Sequence, residues 1–224
     1  MNNLKYDTHV HTSEVSSCGK VDANTLVQLY KKAGYSGIVI TDHYTKDYFE
    51  SLPYTNWQQK VDQFLSGYTT AFEEGKEVGL KVILGMELRF SENFNDYLVF
   101  GFDKEFLYEN PALYDMNIKT FREFIENTQM LIYQAHPFRV TVTPANPEYL
   151  HGVEIHNGNP RHNSNNQKAL DFAKKYNLKM LSGSDFHQVQ DIARGGIIIN
   201  EPITNSLELA KMLRQDNIQD YITV

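Results

Sequence analysis

The 224-residue chain has a single cysteine. No disulfide can form within it, and such usage fits a reducing compartment. No apolar run approaches the roughly 20 residues needed to span a bilayer. The opening MNNLKYDTHV also lacks the apolar core of a secretory signal. These absences lead us to expect a cytoplasmic protein with no membrane partner. Positive charge is short as well: 21 Lys and Arg stand against 28 Asp and Glu, a net −7. Surfaces that coat long nucleic acid are normally basic, so that class is disfavoured. A small nucleotide is not excluded, because bound divalent cations would reverse the sign locally. No repeat, low-complexity tract or linker divides the sequence, which predicts one domain over residues 1–224.

What is present is an alternation of short apolar runs with amphipathic stretches. Strand-like runs occupy 4–10, 36–42, 81–90, 96–102, 130–136, 152–157, 179–185 and 195–200. Helical spacing marks 22–33, where Leu26, Leu29 and Tyr30 share a face and Gly34 offers a stop. It recurs over 57–78, 117–128, 163–176 and 205–214. Asn163 or Ser164 would cap the stretch 163–176 and Asn205 or Ser206 the stretch 205–214. The alternation predicts an α/β protein with largely parallel strands, a barrel or a doubly wound sheet. The stretch PFRVTVTPANPEYL, 137–150, with three prolines, reads as a long functional loop.

Eight histidines are present, and five of them recur at strand ends: His9, His11, His43, His136 and His187. Acidic residues accompany them, with Asp42 beside His43, Glu87 in GMELRF and Asp185 two before His187. In parallel α/β architectures the C-terminal strand ends converge on one rim, where active sites are built. Residues i and i+2 of a strand face one side, so His9/His11 and Asp185/His187 can each aim two donors at one point. Imidazole with carboxylate suits zinc, manganese or iron, and the number of donors suggests more than one ion. His151, His156 and His162 lie outside this pattern. Three arginines follow the motif-bearing stretches. Arg194 is the first candidate for a phosphate contact and Arg139 the second, with Arg161 between them in sequence. Tyr44, directly after TDH, is a candidate pocket lining.

The ordered set DTHVHT, ITDHYT, GMELRF, QAHPFR and GSDFH, from residue 7 to about residue 196, resembles the PHP (polymerase and histidinol phosphatase) family. The resemblance implies a distorted (β/α)7 TIM-like barrel with two or three divalent ions, Zn2+, Mn2+ or Fe2+, at the C-terminal rim. It implies that His9, His11, Glu87 and Asp185 ligate one metal, with Glu87 bridging to a second. His136 would bind that second ion, and His43 and His187 a third. Asp42 would orient an imidazole. Two departures stand out. The strand after Glu87 carries Asp96 where many members have a histidine, and Cys18, with Glu14 nearby, stands where a third histidine often precedes a glycine. Asp96, Cys18 and Glu14 are therefore further ligand candidates.

The activity implied is metal-dependent hydrolysis of a small phosphomonoester by metal-activated hydroxide, similar to histidinol-phosphate phosphatase. Asp185 and His187 would serve the chemistry directly, His187 as proton donor to the leaving oxygen. Alternatives are a phosphodiesterase or nucleotidase on nucleotides or short oligonucleotides, a metal-dependent amidohydrolase, and a catalytically silent metal-binding module.

Overall fold

A computed structural model describes residues 3–224. The first strand, β1 (Leu4–Val10), leads to α1 (Ala23–Lys32), whose first turn is closed by the Asp22 side chain accepting from the Thr25 amide. Helix α1 buries Ala23, Leu26, Val27 and Tyr30 against Val10, Ile38, Ile40 and Phe186. Each large apolar side chain so covered contributes about 2 kcal/mol. Then follow β2 (Gly37–Ile40), the short β3 (His43–Tyr44) and three helices, α2 (Lys46–Ser51), α3 (Trp57–Phe64) and α4 (Ser66–Val78). The helix expected over 57–78 is thus two, broken at Leu65. Strands β4 (Lys81–Leu84), β5 (Met86–Arg89) and β6 (Asp96–Phe100) precede α5 (Lys104–Glu109) and α6 (Ile118–Phe124). The remainder is β7 (Leu131–Gln134), β8 (Gly152–Asn157), α7 (Asn166–Tyr176), β9 (Lys179–Gly183), β10 (Gly195–Ile199), α8 (Ser206–Arg214) and β11 (Asp220–Thr223). Among the described residues no helix is long and apolar enough to cross a membrane.

A distorted (β/α)7 TIM-like barrel was the expectation; the ladders form two sheets, and among the described residues no closed sheet joins them. One has the order β11-β10-β1-β2-β4, the other β3-β5-β6-β7-β8-β9. Nor are the strands largely parallel: β10 runs antiparallel to β1 and β11, and β6 antiparallel to β5 and β7. The chain changes sheet at Gly85, where a side chain would press on Val39 and Thr41 at 3.0–3.1 Å. That break splits the run 81–90 into β4 and β5. The run 36–42 breaks in step, because Gly85 and Glu87 donate to the carbonyls of Ile40 and Asp42. On the opposite side β1 meets the end of β9 through an isolated parallel bridge between Val10 and Phe186. The loop 137–150 is irregular apart from one turn of 3-10 helix at Pro147–Tyr149, as its prolines predict.

Candidate metal centre

Five strands from the two sheets deliver the donors to one cleft. His9 lies near the end of β1 and His11 just beyond it. Glu87 is central in β5, paired in register with His43 of β3. His136 follows β7 and Asp185 and His187 follow β9. His9, His11 and Glu87 are wholly buried. His9 Nε2 lies 3.3 Å from Glu87 Oε1 and 3.5 Å from Asp185 Oδ1. His11 Nε2 is 3.4 Å from both Glu87 Oε2 and Asp185 Oδ1. His43 Nδ1 approaches Glu87 Oε2 to 2.8 Å, and His136 Nε2 approaches Oε1 to 3.2 Å. Three donor sets emerge: His9, His11 and Asp185; His11, His43 and His187; and His43, Glu87 and Asp96.

The tautomers follow from the outer partners. Glu154 Oε1 lies 2.9 Å from His9 Nδ1, and a carboxylate can only accept, so Nδ1 carries the proton. His11 Nδ1 faces Ser16 Oγ at 3.1 Å, and that hydroxyl already donates to Asp42 Oδ1. His187 Nδ1 lies 2.8 Å from the Asp185 carbonyl oxygen. In its neutral form each of these rings therefore turns its Nε2 lone pair inward, the arrangement by which outer partners prepare imidazoles for a metal. The Nε2 atoms of His9 and His11, His43 Nδ1 and Glu87 Oε2 are buried without a hydrogen-bond partner. Such orphaned groups cost about 1–3 kcal/mol each, and divalent ions would satisfy all four together. The donor set fits the ions expected.

Charge is arranged to match. Burial alone would raise Glu87 and Asp185, but the imidazoles around them, His9 foremost, hold both carboxyls well below their usual range. His9 is pushed up despite its burial by Glu154, Glu87 and Asp185. His11 falls well below, through burial and the neighbouring His187 and His43. Burial pushes the Cys18 thiol up, yet hydrogen bonds to His187 and His43 outweigh it and bring it down to about 6.

The cleft, ≈ 290 Å³, is lined by His43, His136, Asp185 and His187 together with Cys18 and Asp96. Asp42 reaches His11 through Ser16 and also accepts from the backbone and hydroxyl of Thr12, an orienting position. Glu14 stands apart: its Oε1 accepts from the Ala23 amide at the start of α1, which takes it away from the imidazoles. Arg139 lines the cleft and donates to Asp185 Oδ2 at 2.7 Å. Arg194 does not line it. Its Nε donates to the Gly158 carbonyl and its Nη2 to that of Val224, so the first candidate for a phosphate contact is a structural tie. Arg161, pinned to Asp191, lines the cleft instead. Tyr44 is fully buried against Phe49, Phe64 and Tyr114 and lines no part of it. His162, set outside the pattern by its position in the sequence, is on the cleft wall.

Two carboxylates were missed. Glu154 also accepts from the His136 amide and from Asn157 Nδ2, and so joins three site segments. Asp7 accepts from the amides of His9 and Ser184 and from Tyr30 Oη, and burial raises it to about 6. The available signal was a carboxylate inside each apolar strand, LKYDTHV and GVEIHN. His136 (φ 31°) and Asp185 (φ 53°) adopt left-handed backbone, a strained state that recurs at functional sites.

Comparison with known proteins places this geometry. The model of the PHP domain matches residues 7–191. No curated protein matches the sequence. Among solved structures, a two-domain protein from Bacteroides vulgatus containing a predicted PHP-like metal-dependent phosphoesterase superposes with TM-score 0.68 at 18% identity, over 97% of this chain. This chain spans 64% of that one. PsfC from Pseudomonas syringae superposes with TM-score 0.68 at 17% identity, over 100% of this chain and 93% of its own. An amidohydrolase from Chromobacterium violaceum does so with TM-score 0.56 at 12% identity, over 95% and 96%. The likenesses show a shared mixed α/β fold.

Proposed function

The chain belongs to the PHP domain family, and from that premise we propose that it is a metal-dependent phosphoesterase acting on a small phosphomonoester, similar to histidinol-phosphate phosphatase. The observation that carries the proposal is the meeting of metal donors and guanidinium groups in one cleft. His9, His11 and Asp185, with Glu87, would hold one ion, and His43 with His187 another. Bound there, divalent ions supply charge neutralisation and an activated water for in-line attack on phosphorus. The protein's own groups do the rest. Arg139 is held by Asp185, Asn157 and Ser164 through Nη2 alone, and its Nε has no protein partner. Arg161 is held by Asp191. Pre-set guanidinium groups of this kind bind phosphoryl oxygens and orient them. The Asp185 carbonyl, 2.8 Å from Nδ1, fixes the tautomer of His187 so that its Nε2 is presented to the ion, and the proton for the leaving oxygen would then come from water in the cleft. The single cysteine and acidic balance support a cytoplasmic workplace and a small substrate.

The test is hydrolysis of a chromogenic phosphate monoester and of histidinol phosphate by protein loaded with Mn2+, Zn2+ or Fe2+. Turnover should vanish with chelator and in Asp185→Asn. Chelator-resistant turnover, or none with any of the three ions, would refute the proposal.

A further inference from the structure

The three donor sets are not equally open. Asp185 gives Arg139 one oxygen, Oδ2, and keeps Oδ1 facing His9 and His11. Asp96 gives Arg89 both: Nε donates to Oδ1 at 2.7 Å and Nη2 to Oδ2 at 2.8 Å. This two-pronged pair is set by the sheet, because Arg89 and Asp96 stand directly opposite each other in β5 and β6. Asp96 is buried, and Arg89 lines the cleft beside Glu87 and His136. A divalent ion coordinated by Asp96 would therefore sit a few ångströms from a permanently charged guanidinium.

We infer that Arg89 is a fixed cation of the centre: its guanidinium neutralises Asp96 in the third donor set, and the protein loads two metal ions. The inference rests on the reading of the cleft as a metal centre. It assigns Asp96, placed among the ligand candidates by its position in sequence, to the arginine instead.

The test is metal content per chain. Full-length protein is loaded with excess Mn2+, desalted and measured by inductively coupled plasma mass spectrometry, with circular dichroism to confirm folding. Wild type should hold two ions, Arg89→Gln three, and Asp96→Asn two. Three ions in the wild type, loss of an ion in Asp96→Asn, or no gain in a folded Arg89→Gln would each overturn the inference while leaving the metal centre standing. Should Arg89→Gln not fold, the wild-type and Asp96→Asn counts decide alone. No bound ion in the wild type would overturn the metal-centre reading and this inference with it.

Discussion

Glu154 shows how a residue that touches no substrate can govern a site. Its Oε1 holds the proton of His9 on Nδ1 and turns Nε2 toward the cleft. Removing such an outer partner typically lowers metal affinity 10–100-fold. Glu154→Gln keeps the volume but loses the charge-assisted bond, so chelator competition should show about a tenfold or greater loss. Unchanged affinity would deny Glu154 this role. The two arginines singled out in the sequence now separate. Arg194→Ala should leave KM for the phosphoester within about twofold, since its guanidinium ties Gly158 and Val224, and should cost about 1 kcal/mol of stability. Arg139→Ala should lower kcat/KM by about 10- to 100-fold, the loss of a charge-assisted contact. A steady-state comparison of the two variants reads both expectations. The HxH and DxH pairs were legible because their members are neighbours in the chain. Glu154 was not, because His9 lies 145 positions away.

At the scale of elements, the seam between β1 and the end of β9 decides whether His9 and Asp185 meet. Both strands around it carry register shifts, one in β1 between Asp7 and Val10, one in the β8–β9 pairing between Glu154 and His156. Shifts of this kind re-aim side chains and are common beside active sites. Gly183 makes the close approach feasible: a methyl group there would lie 2.4 Å from His9 Cβ and 2.9 Å from Glu154 Oε1. Gly183→Ala should therefore cost about 3 kcal/mol by denaturant titration and weaken metal binding as well. A variant of wild-type stability would show that the seam yields. Sequence periodicity found the strands on either side of this seam. It did not find the breaks at Gly85 and Leu65, because each depends on what packs opposite, Val39 and Thr41 in the first case. Nor did it give strand direction, since an apolar run reads the same in parallel and antiparallel pairing.

For the whole molecule, metal and fold are linked by mass action. Ions bound only by the folded state at a hundredfold excess over Kd add about 3 kcal/mol. A chelator should then lower the melting temperature by several degrees, about 2–4 °C per kcal/mol for a chain of this size. Identical melting curves with and without chelator would argue against a centre shared by the two sheets. A second stability term lies far from the cleft. Burial, with Arg122, Arg214 and Lys179 nearby, lowers His151 to about 4. The unfolded chain, with an ordinary histidine near 6.5, binds the extra proton first. Stability from this group is thus complete above pH 6.5 and lost as pH falls toward 4, on the order of 2 kcal/mol after solvent screening. His151→Asn should flatten that part of the stability–pH curve, and an unaltered slope would remove His151 as its cause. By itself the sequence determined the family and picked out most of the candidate donors that meet in the cleft, because they are chemically distinctive and stand in or just after recognisable strands. Only the tertiary structure decided that two sheets carry the site, that Arg139 and Arg161 rather than Arg194 line it, and that Glu14 caps a helix. The same holds for the pairing of Asp96 with Arg89. Each is a matter of which side chains meet across long chain separations or opposite strands, and no local pattern records those meetings.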